Sequence, residues 1–376
     1  MAEHASSEQS EAVANFWSWF DSQPWVFEEQ SLWNWLWKRF GYKKSQELRA
    51  VFQDNYITEL DFERLSALGL NHLRLPVWFE LLESDFAEGA HFKSEGWMRL
   101  HQALLWARKH KLYVILDLHG APGGQSASWH QGLADGGHLF ENEACLKKTV
   151  RLWQALAHYF KDDPHLAAYD LLNEPMSSPD PEAYRKVHDE IYRAIRSEDT
   201  RHVVMLEDGY RPASELVSPA EMGWENAMFS IHLYPGGTSA ADYLERIDRA
   251  LLDSPATEAR FQMPLYLGEF NAADGTESLG WAAEGMDLVL ERLNERGVHW
   301  AIWTWKYHTD QSLWGLYYPK DRPGYRIDVR DASFEKIRDD FAALNSSNFA
   351  AHKELEEVLK RRSADPVRPL DLNTRY

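Results

Sequence analysis

Lys111-Leu-Tyr-Val-Ile-Leu-Asp-Leu-His119 is a nearly unbroken apolar run that stops on a histidine, and runs of this kind recur with helix-period stretches between them. Strands that apolar are buried on both faces, which implies a parallel sheet covered by helices. Eight runs are read as strands: residues 13–16, a weak one, then 71–76, 111–119, 169–172, 203–206, 228–232, 264–268 and 300–303. Residues 146–160, 184–195, 243–252 and 282–293 carry helical patterns, and Trp97, Leu100 and Leu104 mark another helix. Thr58-Glu-Leu-Asp61 is a capping box opening a helix whose stripe of Leu60, Leu65 and Leu68 ends at Gly69. Eight strand and helix repeats predict an α/β fold of the (β/α)8 TIM-barrel type. A doubly wound open sheet, the alternative, would need a nucleotide-binding signature at its first turn, and none is present.

The polar residues gather where these strands stop: Arg74, His119, Asn173, Glu174, His232, Tyr234, Glu269 and Trp303. That end of a barrel carries the active site. In Tyr169-Asp-Leu-Leu-Asn-Glu-Pro175 an apolar run breaks off at an amide, a carboxylate and a proline that cannot extend the strand. Leu265-Tyr-Leu-Gly-Glu269 delivers a second glutamate in the same way. Either could be a solvated turn residue alone, but two glutamates on two strand ends can face each other.

The chain has 17 Trp, 16 Tyr and 17 Phe among 376 residues, more indoles than a core requires. Flat aromatic faces are what sugar rings stack on, so carbohydrate is the leading ligand class. A formal net charge of -19 argues against nucleic acid and anionic membrane surfaces as partners. With one cysteine, Cys145, there is no intrachain disulfide or thiolate cluster, and that side chain is expected to be buried and apolar. Zinc-hydrolase, serine-nucleophile and P-loop motifs are absent, and the 16 histidines are dispersed, so no metal or cofactor is expected.

The domain expectation is a barrel over residues 13–345, flanked by an aromatic-rich extension at 1–40 that includes the first strand, and by a helix and tail at 346–376. Trp17, Trp19, Trp25, Trp33, Trp35 and Trp37 fit no clean period and are read as an irregular aromatic cap with a short helix, through which copies of the chain could associate as a homo-oligomer. Residues 334–344 read as the last barrel helix and 348–362 as a further charged one. The first ten residues lack the basic and apolar regions of a signal peptide, which leaves a cytoplasmic protein or a secreted one with its leader removed.

Leu73-Arg-Leu-Pro76, Asp117-Leu-His-Gly120, Leu172-Asn-Glu-Pro175, His232-Leu-Tyr234, Leu267-Gly-Glu269 and Ile302-Trp303 follow one another in an order that resembles glycoside hydrolase family 5. Within it, Tyr56-Ile-Thr-Glu-Leu-Asp-Phe62, His119-Gly-Ala-Pro-Gly123 and Trp303-Thr-Trp-Lys306 are most similar to the exo-β-1,3-glucanase branch. Trp17-Ser-Trp19 and Gln23-Pro24 depart from that branch, where a Gly-Gly-Trp turn and a Glu-Pro pair are usual. The resemblance implies a retaining hydrolase of β-linked glucan by double displacement, with 1,3, 1,4 and mixed linkages open. Endo-1,4 action is one alternative, and a carbohydrate-binding barrel without turnover is another.

It also implies roles. Glu269 would be the nucleophile and Glu174 the acid/base, whose pKa would have to be raised by burial and by Glu269. Asn173 would bond the sugar 2-hydroxyl. Arg74 and Tyr234 would orient Glu269, and His119 and His232 would bind hydroxyls or position Glu174. Trp303 would floor the subsite, and Trp305 and Trp314 are read either as further lining or as core packing.

Overall fold

The structure is a computed structural model that describes residues 28–84, 91–133, 135–252, 263–272, 280–307, 314–320 and 327–366. The expected strand at 13–16 and Trp17, Trp19 and Trp25 lie outside them. In chain order the elements are α1 (Glu29–Phe40), α2 (Tyr42–Tyr56), α3 (Glu59–Ala67), β1 (His72–Trp78), α4 (Ser94–Lys109), β2 (Tyr113–Gly120), α5 (Glu143–Phe160), β3 (Leu166–Asp170), α6 (Pro181–Arg196), β4 (Val203–Glu207), α7 (Pro219–Met222) and β5 (Ala227–Leu233). Then come α8 (Ala240–Leu252), β6 (Leu265–Phe270), α9 (Ala282–Arg296), β7 (His299–Trp300), β8 (Tyr317–Pro319), α10 (Phe334–Ala342), β9 (Phe349–Ala351) and α11 (Lys353–Arg362).

Strands β1 to β7 lie side by side in sequence order, every pair parallel. Neighbouring strands sit about 4.8 Å apart, so in a flat sheet β1 and β6 would be separated by roughly 24 Å. Arg74 of β1 instead touches Glu269 of β6 at 2.7 Å, and His72 of β1 meets the Tyr266 hydroxyl at 3.0 Å. The sheet is curled around an interior, with helices outside, as a (β/α)8 barrel requires. Ile115, Ala168, Met205 and Tyr266 form a small apolar plug inside the curl, while the larger core lies between the strands and the helices.

Three readings change. Where the aromatic segment is described it is the helix and not the irregular cap that is present: residues 29–40 form a 12-residue helix burying Leu32, Trp33 and Leu36, and α2 follows with Leu48 buried. Trp33 packs edge-on against Phe52 of α2 and Phe341 of α10. Residues 348–362 are not one helix, because Phe349–Ala351 pairs antiparallel with Tyr317–Pro319 before α11 begins. Cys145 is half-buried rather than buried; it sits under Gly123, where an added Cβ would come within 2.5 Å of its sulfur.

Candidate active site

Inward and outward residues alternate along a strand, so Ile115 and Asp117, Ala168 and Asp170, Met205 and Glu207, and Met228, Ser230 and His232 each share a face. On β6 the same count sends Tyr266 and Gly268 inward and would send Glu269 outward. The register corrects this: Ile231 pairs with Leu267 but His232 pairs with Glu269, so Gly268 is an extra residue in β6. The bulge turns Glu269 into the barrel mouth. Glycine is needed there, since a Cβ at 268 would meet Ser230 Oγ at 2.6 Å and His232 Nε2 at 3.0 Å.

Arg74 is the hub. Its Nε donates to Asp170 Oδ2 at 2.7 Å, its Nη1 to Glu269 Oε1 at 2.7 Å, and its Nη2 to Asn173 Oδ1 at 3.0 Å and Glu207 Oε1 at 2.8 Å. Asp117 Oδ2 lies 3.1 Å from the same nitrogen. Burial opposes the guanidinium charge, but Asp117, Asp170, Glu207 and Glu269 outweigh it and push the Arg74 pKa well above its ordinary value. Tyr234 donates to the other oxygen of Glu269 at 2.9 Å, and its ring stacks on Trp314.

Glu174 follows β3 with a left-handed backbone, φ 44°, a conformation a glutamate keeps only when its surroundings impose it. Its main-chain N–H donates to Glu207 Oε2 at 2.6 Å. Oε1 accepts from the Tyr210 hydroxyl at 2.8 Å and lies 2.9 Å from His232 Nδ1, and Oε2 lies 3.3 Å from His130 Nε2. One ligand-capable atom each from Glu174, His232 and Glu269 all fall within 4.8 Å of one another.

The expected upward shift at Glu174 is not what this cluster produces. Burial does push the carboxyl up, but His130, His232 and Tyr210 outweigh it and hold it below the ordinary carboxylate range. His232 shows the converse: burial disfavours its charge, yet Glu207, Glu269 and Glu174 raise it well above the usual imidazole value. Burial lowers His130 and takes His119 down to about 4. His119 holds Asp117 Oδ2 at 2.7 Å and lies flat against Trp303, interplanar angle 4°.

The structure therefore brings together Arg74, His119, Asn173, Glu174, His232, Tyr234, Glu269 and Trp303. Trp305 lines the same cavity but is held by α3 and β8: its indole N–H donates to Asp61 Oδ1 at 2.9 Å and its ring packs on Tyr317. Residues 120–124 lead into Gln125, which serves the site. Its amide donates to the carbonyls of His119 and Asn173 at 2.8 and 2.7 Å and accepts from Ala121 at 3.0 Å. Gln125, His130, Glu207 and Tyr210 were missed. Only Glu207 carried a signal, an apolar run ending in a carboxylate, as at Glu269.

Fold and site together define a barrel with a carboxylate pair at its mouth. The chain belongs to the cellulase family, glycosyl hydrolase family 5, whose model matches residues 31–309. A beta-xylosidase of Phanerodontia chrysosporium is 35% identical over 201 residues, covering 52% of this chain and 41% of that protein. Endoglucanase C of Acetivibrio thermocellus is 31% identical over 182 residues, 48% of this chain and 51% of its own. A probable glucan 1,3-beta-glucosidase A of Emericella nidulans is 27% identical over 232 residues, 58% and 55%. The chain thus spans about half the length of the curated relatives it matches. Thermotoga maritima Cel5A, solved with mannotriose, shares the fold with a TM-score of 0.58 at 18% identity, over 81% of this chain and 90% of that one.

Proposed function

We propose that the chain is a retaining hydrolase of β-linked glucan acting through a glutamate pair. The observation that carries this is the approach of Glu174 and Glu269 oxygens to within 4.8 Å. Retaining enzymes hold their carboxyl groups about 5–5.5 Å apart, whereas inverting ones leave about 6.5–9.5 Å for a water. Glu269, anchored by Arg74 and Tyr234, attacks the anomeric carbon, and Glu174 protonates the leaving oxygen and later activates water. His232 Nδ1, 2.9 Å from Glu174 Oε1, is placed to supply the proton that Glu174 delivers. Asn173, whose Oδ1 accepts from Arg74 and whose Nδ2 lies 3.2 Å from His130 Nδ1, offers the remaining Nδ2 hydrogen to the 2-hydroxyl, where the bond strengthens as charge develops on the ring. Trp303, backed by His119, floors the reacting sugar.

Glucan as substrate is supported by the relatives named as an endoglucanase and a glucan 1,3-beta-glucosidase. Association of copies through residues 1–40 is part of the proposal; an unchanged solution mass after removal of residues 1–30 overturns that part. No helix among the described residues is long and apolar enough to cross a membrane.

The test is the anomeric configuration of the first product from laminarin, cello-oligosaccharides and mixed-linkage glucan, followed by NMR. Retention is expected, and inversion overturns the mechanism. Glu174→Ala should lose roughly 10²- to 10⁴-fold on poor leaving groups and far less on activated aryl glycosides, with azide restoring the latter. Binding without hydrolysis of any β-glucan would make the barrel a binding protein.

A further inference from the structure

Glu207 ends β4 beside the reacting pair, and the double displacement above gives it no task. Its carboxylate meets three groups of the site: Oε2 accepts the Glu174 main-chain N–H at 2.6 Å, and Oε1 accepts from Arg74 at 2.8 Å and lies 3.2 Å from His232 Nε2. That buried ring nitrogen makes no hydrogen bond of full geometry, and the Glu207 carboxylate is the ion-pair partner beside it. The opposite nitrogen, Nδ1, faces Glu174 Oε1 at 2.9 Å. A carboxylate, an imidazole and a second carboxylate thus form one chain that ends at the atom from which a proton would leave.

We propose that Glu207 is a positioning residue for the acid/base: it pins the left-handed Glu174 peptide and holds the Nε2 proton of His232, so that Nδ1 is the nitrogen that exchanges a proton with Glu174. The inference rests on the glutamate-pair reading. In the first half-reaction the Nδ1–H bond breaks and a bond to Glu174 Oε1 forms. That proton passes to the glycosidic oxygen as the C–O bond breaks and its electron pair leaves with the departing sugar. His232 is left neutral, its remaining proton on Nε2 facing Glu207. In the second half-reaction water gives a proton to Glu174 as its oxygen bonds to the anomeric carbon and releases Glu269, and the proton returns to Nδ1. Nothing is oxidised or reduced.

The surroundings suit this task. Burial, and after it Asp170, push the Glu207 carboxyl up to about 8, against His232 and Arg74. The charged groups facing it come from four places: Arg74 on β1, Asp170 on β3, Glu174 after β3 and His232 on β5. Tyr184 of α6 donates to the Glu207 main-chain carbonyl, which fixes the strand end itself.

Glu207→Gln keeps the shape but removes the charge and leaves one side-chain oxygen where two accepted N–H groups. In ¹⁵N-histidine NMR, with the His232 resonance assigned by its loss in His232→Gln, the wild-type ring should stay protonated above neutral pH. The variant ring should lose its proton at least about one pH unit lower. The basic limb of kcat/KM should move the same way, and the loss should be roughly ten- to a hundredfold greater on poor than on activated leaving groups. An unmoved His232 titration, or equal loss on both substrate classes with an unmoved limb, overturns the proposal, because a merely structural residue would behave so. Glu207→Asp, which keeps the charge one methylene further back, should show the same ordering at smaller size and serves if the glutamine variant does not fold; no change in either readout would overturn the proposal equally. Should the wild type hydrolyse nothing, the functional reading fails, and the NMR titration still decides whether Glu207 governs His232.

Discussion

Arg74 and Lys306 are both buried cations, with side-chain exposures of 3% and 2%, and their pKa values move in opposite directions. Lys306 donates to the carbonyls of Tyr56 and Leu344 and to Ser346 Oγ, with Asp61 at 3.9 Å. Those partners are mostly neutral dipoles, so burial wins and takes its pKa down to about 8. Arg74 is ringed by carboxylates and is driven the other way. Dipoles can satisfy a charge and tie α2, α3 and the segment after α10 to the residue beyond Trp305, which is a structural task. An excess of carboxylates leaves protons and donors to be competed for, and that competition is what a site needs to move a proton.

The comparison breaks most sharply at Glu269. Glu269→Gln should cut kcat by roughly 10⁴- to 10⁶-fold, as loss of an essential nucleophile does. Calorimetry should find the melting temperature held or raised, because Arg74 keeps three other carboxylates and like-charge crowding falls. A large drop in melting temperature would instead align Arg74 with Lys306 as a structural ion.

Arg74→Lys sharpens the contrast at an intermediate level. It keeps a charge but loses the fork that reaches Asp170, Glu269, Asn173 and Glu207 together, so kcat/KM should fall about 10²-fold through misplacement of Glu269. Steady-state kinetics giving wild-type values would mean that the charge alone matters.

The smallest effect on activity is expected at Lys306. Lys306→Met should leave kcat unchanged and lower stability by about 1–3 kcal/mol at neutral pH through unsatisfied carbonyls. The difference depends on pH with a definite sign. The folded-state value is depressed, so between about 8 and the free lysine value near 10.4 the unfolded chain binds more protons than the folded one. Below about 8 both states are protonated and the term is constant. The advantage of wild type over Lys306→Met should therefore grow as pH rises through that window, read by urea titration at several pH values; a flat difference would mean that Lys306 titrates as a free lysine.

Much of the site was legible because strand ends are local signals: an apolar run that stops at a polar residue marks the barrel mouth, and all eight residues collected on that basis converge. The same rule applied one residue further would have found Glu207, since the run read as 203–206 ends just before it. His130, Gln125 and Tyr210 had no such mark. They reach the site because loops after β2 and β4 fold back over it, and a loop has no period. Trp305, two residues from Trp303 in sequence, is tied to Asp61, a partner that only the packed barrel sets beside it. Helix α2 was readable in part, because Leu48, Phe52 and Tyr56 recur at helical spacing just after the tryptophan-rich stretch.

The order of strands and helices, the parallel sheet and the two glutamates were determined by sequence alone, because burial periodicity and strand-ending residues act over a few positions. Which way Glu269 points depended on a one-residue bulge against β5, which is a property of the pair of strands. The charge states of Glu174, His232 and Glu207 were decided only by tertiary structure. They are sums over groups from several strands meeting in a few ångströms, where burial and neighbouring charges oppose each other: the neighbours prevail at Glu174 and His232, and burial at Glu207.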